Sequence, residues 1–129
     1  MRFFAAVILA VLLSGCGNAK PARPVGHWVQ ALQDADPRAR KQAAFNLGNI
    51  GPADPTVFPA LLAALRDRDA KVRCEAIVAL LKFGSDAKEA IGALTNVQQQ
   101  DRDARVRSYA TKALEKLQGN EGRVSRRPS

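Results

Sequence analysis

The chain predicts an all-α fold, a short stack of three antiparallel helix pairs, and three observations lead there. Shifted against itself by 33 or 34 residues, the sequence returns Asp36, Asp69 and Asp103 in one column. Arg40, Arg73 and Arg107 follow in a second, Ala43, Ala76 and Ala110 in a third, and Leu47, Leu80 and Leu114 in a fourth. The composition is 47% hydrophobic but only 5% aromatic, with Ala and Leu dominant and β-branched residues sparse, which favours helix over strand. Apolar residues also recur at three-to-four spacing, as in Val72, Ala76, Leu80 and Phe83. A chain of 129 residues has room for one such domain.

The first element is a leader. Met1-Arg2 is a short positive start, Phe3 to Leu13 is unbroken apolar sequence, and small residues follow, the order of a secretory signal peptide. The run is too short to span a bilayer, which takes about 20 residues. It ends in Leu13-Ser14-Gly15-Cys16, which closely resembles the lipobox of bacterial lipoproteins. That resemblance implies cleavage of residues 1–15, a diacylglyceryl group on the Cys16 thiol, and acylation of the freed amine. Each buried methylene contributes about 0.8 kcal/mol, so two or three chains hold a protein on a membrane where one would let go. The alternative is an ordinary signal peptide cut near Ala19, with Cys16 discarded. Gly17 stands where an Asp tends to retain Gram-negative lipoproteins at the inner membrane, so the expected location is the cell envelope, on the periplasmic face, with the outer membrane open to it.

Residues 16–24 read as the lipidated cysteine and a linker, because Gly17, Pro21 and Pro24 deny the segment regular hydrogen bonding. The repeat domain follows over 25–118, in units of about 25–53, 54–84 and 85–118. Trp28, Leu61 and Leu94 form a column in the first helices, and Ala31, Ala64 and Val97 another, once a residue is inserted near Gln100. Asp36, Asp69 and Asp103 are expected as N-caps of the second helices, with carboxylates that accept from free backbone N–H groups. Asp36-Pro37 places Pro at the first helical position, and Asp54-Pro55 is expected to open the first helix of the second unit likewise. Gly84 stops the second helix of that unit.

The Asp-x-x-x-Arg start, the Ala and Leu columns and the closing Gly resemble HEAT-like repeats, particularly the phycobilisome-lyase-like kind, over about residues 25–118. The resemblance implies an α-solenoid that presents a surface to partners. In the middle unit Cys74, Ile77, Val78 and Leu81 make the opposite face of the second helix apolar too, as for a helix covered on both sides. Ser108, Thr111, Lys112 and Glu115 hold those columns in the third unit, and a polar outer face is what a terminal repeat needs. Residues 119–129 are polar, with Arg123, Arg126 and Arg127, and are expected as a disordered basic tail.

Chemistry-bearing residues are few. The only histidine is His27, and Cys16 and Cys74 are the only cysteines. No Cys/His pairing at metal spacing, phosphate-binding glycine loop or nucleophile motif is present, so no catalytic residue, metal or cofactor is assigned. Relatives of this repeat class include phycobilin lyases, an iron hydroxylase built on His-Glu pairs, and DNA glycosylases. This chain has no His-Glu pair, and export argues against a nucleic acid partner.

The net charge of +8 favours an acidic or anionic partner. Arg38, Lys71 and Arg105 align two residues after each cap, beside the column of Arg40, Arg73 and Arg107, so stacking is expected to bring six cations to one edge. Arg66, Arg68 and Arg102 lie in the adjoining turns. HEAT-like repeats often carry an Asp-Arg ladder between units, which implies Asp36, Asp69 and Asp103 as partners of the second column. Two readings stand: a solvated face with such ladders, or an anion-binding ridge for acidic protein, headgroups or envelope polymers. The function expected is a lipid-anchored adaptor that docks an envelope protein and is not an enzyme. The alternative is a small exported lyase or enzyme-accessory subunit using the repeat as scaffold.

Overall fold

The computed structural model describes residues 22–124, so Cys16, the leader and residues 125–129 lie outside the described residues. Six α-helices and no strand occur among them: α1 (Val25–Ala31), α2 (Pro37–Ile50), α3 (Val57–Ala64), α4 (Ala70–Leu81), α5 (Ile91–Gln100) and α6 (Ala104–Val124). Short 3-10 turns over Gly51–Ala53 and Gly84–Ala90 join one pair to the next. No described helix is long and apolar enough to cross a membrane.

The second helices start where their aspartates allow. Asp36 accepts from the Arg38 N–H at 2.9 Å, Asp69 from Lys71 at 2.8 Å, and Asp103 from Arg105 at 2.8 Å. Each bond satisfies a backbone donor that the first turn leaves free. Gly51 and Gly84 end the first two units with φ of 62° and 60°, a conformation costly for any residue with a Cβ.

Two expected boundaries move. The first helix of the second unit begins at Val57, not after Asp54, because the Asp54 carboxylate accepts from both the amide and the hydroxyl of Thr56 and folds Asp54-Pro55-Thr56 into a turn. At the other end α6 continues past Gln118 to Val124, into the segment expected as a disordered tail.

The pairs stack so that α2 packs along α4 and α4 along α6, forming a closely packed layer. Small residues permit this approach: Gly48 of α2 faces Ala79 of α4, and Ala43, Ala44, Ala76, Ala110 and Ala113 are fully buried. Val57, Leu61 and Leu94 from the first helices meet Leu47, Ile77, Leu80 and Val106 from the second in one continuous core. Each such aliphatic side chain contributes about 1.5–3 kcal/mol by leaving water. Trp28, in the column of Leu61 and Leu94, is only partly buried against the core. At the far end Ser108, Lys112 and Glu115 are exposed, and Thr111, half-buried, receives a hydrogen bond from Gln98 at 3.0 Å.

Candidate functional site

The turn before each second helix carries the same Asp-x-Asp frame: Asp34-Ala35-Asp36, Asp67-Arg68-Asp69 and Asp101-Arg102-Asp103. The second Asp of each frame caps the helix. The first accepts the backbone N–H of the second, at 2.8, 2.8 and 2.9 Å. In the second and third frames that fold of the turn leaves the first carboxylate, of Asp67 and Asp101, aimed back at the preceding unit.

Arginines of the preceding unit meet it. Arg40 Nε and Nη2 donate to the two oxygens of Asp67 at 2.9 and 3.1 Å. Arg73 does the same to Asp101 at 2.8 and 3.0 Å. The remaining nitrogen of each binds carbonyls in its own unit, Arg40 Nη1 to Asp34 at 2.8 Å and Arg73 Nη1 to Asp67 at 2.7 Å. Both arginines are 4% exposed, and no buried side-chain nitrogen or oxygen is left without a partner among the described residues. A forked pair of this geometry orients one unit on the next, since the guanidinium fork and carboxylate match in only one plane. The bond to Asp67 also holds the Arg40 guanidinium more firmly protonated than an ordinary arginine.

The six expected cations therefore do not share an edge. Positions 38 and 40, 71 and 73, and 105 and 107 are two residues apart on a helix, about 200° around its axis, so one points out where the other points in. Arg40 and Arg73 are internal rungs and are unavailable to a surface partner. Arg107 is half-buried, with Nη1 on the Asp101 carbonyl at 2.7 Å. Arg38, Lys71 and Arg105 are exposed, and Arg105 makes a 3.3 Å pair with Asp103 of its own turn. That pair lowers the Asp103 carboxyl below its ordinary range, and backbone N–H bonds add to the effect. The ladder acids are Asp67 and Asp101, and not the capping aspartates expected from the repeat pattern. Their signal was present in the sequence, as the column of Asp34, Asp67 and Asp101.

Lys71 and Arg105 line a shallow groove of about 210 Å³ on the outer face of the closely packed layer. Lys41, Cys74, Val78 and Tyr109 complete it, with Glu75 as its acid. Tyr109 is 46% exposed here, and Phe45, 43% exposed on the same layer, carries Lys82 over its ring at 4.8 Å. Aromatic rings beside cations are typical of protein-binding surfaces, where ring area and charge act together. Phe45, Tyr109 and Lys41 were not singled out from sequence, although Phe45 interrupts an otherwise small-residue stretch. Burial raises the Cys74 thiol above its ordinary range, opposite to what a reactive cysteine needs.

His27 is engaged locally: Arg23 Nη1 donates to its Nε2 at 2.8 Å, and its ring meets the edge of Trp28. No cluster of three or more His, Cys, Asp or Glu that could hold a metal occurs among the described residues.

No curated protein matches the chain. The family described as HEAT repeats matches residues 25–119, which takes in five of the helices and most of α6. With the stacked antiparallel pairs and the Arg-Asp rungs between units, that match shows that this chain belongs to the HEAT-repeat family.

Proposed function

We propose that this chain is a lipid-anchored scaffold of the cell envelope, which docks an acidic protein on the closely packed face of its repeat stack. HEAT repeats form helical scaffolds for protein interaction, and this is the coarse function that the family supports. The observation that carries the finer reading is the groove holding Lys41, Lys71 and Arg105 around Val78 and Tyr109. At about 210 Å³ it is smaller than the roughly 300–1,000 Å³ of small-molecule sites, so it fits side chains of a docked surface better than a cofactor. Opposite charge would steer the partner, and the aromatic and aliphatic contacts would hold it. In this reading Cys16 bears the lipid, and residues 17–24 tether the stack near the membrane, at about 3.1 Å per residue when extended.

The test is a cross-linked pulldown from membranes, comparing wild type with Cys16→Ala and with Lys71→Glu/Arg105→Glu. The proposal expects one dominant acidic partner, reduced when the anchor is removed and lost on charge reversal. Recovery unchanged by charge reversal excludes the groove. Absence of lipid on the mature N-terminus by mass spectrometry excludes the anchor.

A further inference from the structure

The first helices do not close up as the second ones do. Between α3 and α5 lies a cleft of about 850 Å³, with Leu62, Ala63, Ala93 and Val97 in its apolar lining. Arg66, Arg68 and Arg102 also line it, all three exposed. The two acids of the lining, Asp67 and Asp101, are already taken by Arg40 and Arg73 of the ladder. Arg68 Nη2 donates to the Ala35 carbonyl at 3.3 Å and Arg102 Nη2 to the Arg68 carbonyl at 3.0 Å. Those bonds hold the guanidiniums in place without neutralising them, and none of the three arginines has an ion pair among the described residues. The result is an apolar trough with three uncompensated cations at its turn end.

We propose that this cleft is a second docking site, for an acidic amphipathic helix of a partner protein. The inference rests on the reading of the chain as a scaffold but uses a different surface from the Lys71–Arg105 groove. Two helical walls lined by apolar side chains are the geometry in which a third helix lays its apolar stripe. The ten residues of α5 run about 15 Å, so a helix of three turns matches the wall. Aspartate or glutamate beside the stripe then meets Arg66, Arg68 and Arg102, and a guanidinium fork suits a carboxylate.

The residues on either side of the described stretch lack the acids such a helix needs. Residues 1–21 and 125–129 contain no Asp or Glu, and the latter carry Arg126 and Arg127. A second copy brings a further net charge of +8 to an already basic surface. A bilayer is flat and reaches the arginines at the turn without filling the trough between the helices.

The experiment is fluorescence anisotropy with the full acylated chain in neutral detergent. The probe is a labelled 14-residue peptide with Leu on one helical stripe and Glu on its flanks, and the control replaces Glu with Lys. Wild type is expected to bind the Glu peptide and not the Lys peptide. Arg66→Glu/Arg102→Glu is expected to weaken binding at least tenfold, and Ala93→Trp, which fills the trough from the α5 wall while keeping the charge, to weaken it comparably. Lys71→Glu/Arg105→Glu is expected to stay within about twofold. Circular dichroism melts of each variant, unchanged for the exposed arginines, separate lost binding from lost fold.

Absence of binding by wild type overturns the proposal, as does binding that survives both cleft variants. Equal losses from the cleft and groove reversals show attraction to positive charge in general and overturn it too. Loss confined to Lys71→Glu/Arg105→Glu overturns the cleft but leaves the scaffold reading standing. Binding to phosphatidylglycerol vesicles through Arg66 and Arg102, with no binding of the peptide, assigns the cations to a membrane surface and overturns the peptide site.

Discussion

Gly48 and Ala79 touch across the α2–α4 interface so closely that a Cβ on residue 48 would stand 2.7 Å from the Ala79 Cβ and 2.9 Å from its Cα. Alanine at a helix interior normally gains about 1 kcal/mol over glycine. Here the obstacle is the Ala79 Cβ and Cα, which no rotamer change moves, and overpacking of this kind costs about 1–3 kcal/mol. Gly48→Ala should therefore lower the urea midpoint. Gly48→Ala combined with Ala79→Gly should recover part of the loss, and an unchanged midpoint for Gly48→Ala alone would show that the two helices are not held at this distance.

Removing one member of a ladder rung should cost more than removing both. Asp101→Ala leaves the Arg73 side chain, 5% exposed, without its carboxylate, and an uncompensated buried charge costs about 3–5 kcal/mol. Arg73→Met/Asp101→Leu, which removes both charges and restores apolar volume, should melt nearer to wild type than Asp101→Ala does. Urea titration of the three proteins checks the order.

Acid should weaken the fold through two turns that hold their carboxyls below the ordinary range. Asp54 is lowered by its bonds from the Thr56 hydroxyl and amide, and Asp103 by Arg105 and the backbone. A depressed folded pKa binds fewer protons than the unfolded chain, so its stabilisation is complete above the unfolded carboxylate value near 3.9 and is lost as pH falls through the lower folded one. Urea midpoints between pH 7 and pH 2.5 should fall on the acid side. The fall should be shallower in Asp54→Asn, which has no carboxyl there to protonate.

Cys74 should be a slow thiol. Burial raises its pKa, so at pH 7.5 less thiolate is present than in a free cysteine, and the half-buried sulfur is also harder to reach. Iodoacetamide labelling slower than that of an unfolded control, and accelerated by urea, is the expected result. Labelling as fast as the control would place the thiol in solvent.

The repeats were legible because stacking copies one solution three times: columns such as Leu47, Leu80 and Leu114 stay visible when each unit buries the same positions. Buried and exposed arginines were harder to separate. Arg38 and Arg40 have the same chemistry and recur with the same period, and only the 200° of helix between them sends one to solvent and one to the ladder. The ladder acids were missed for a related reason: Asp67 and Asp101 recur with the same period as the capping aspartates two residues on, and residue type alone does not tell cap from rung. Asp54 misled because the amide and hydroxyl of Thr56 take its carboxylate three residues before the helix begins. The cleft between α3 and α5 had no sequence signal, because its volume depends on the splay of two helices and not on the identity of any one residue.

Each rung reaches only to the neighbouring turn, from Arg40 to Asp67 and from Arg73 to Asp101, so nothing in the arrangement fixes how many units the molecule has. A tandem duplication of residues 54–84 would bring its own Asp-x-Asp turn and its own arginine, and every latch would still find a mate. One added helix layer of about 8–10 Å would extend the stack by one storey. Growth by gene-segment copying is thus open to this architecture in a way that it is not to a fold closed around a single centre.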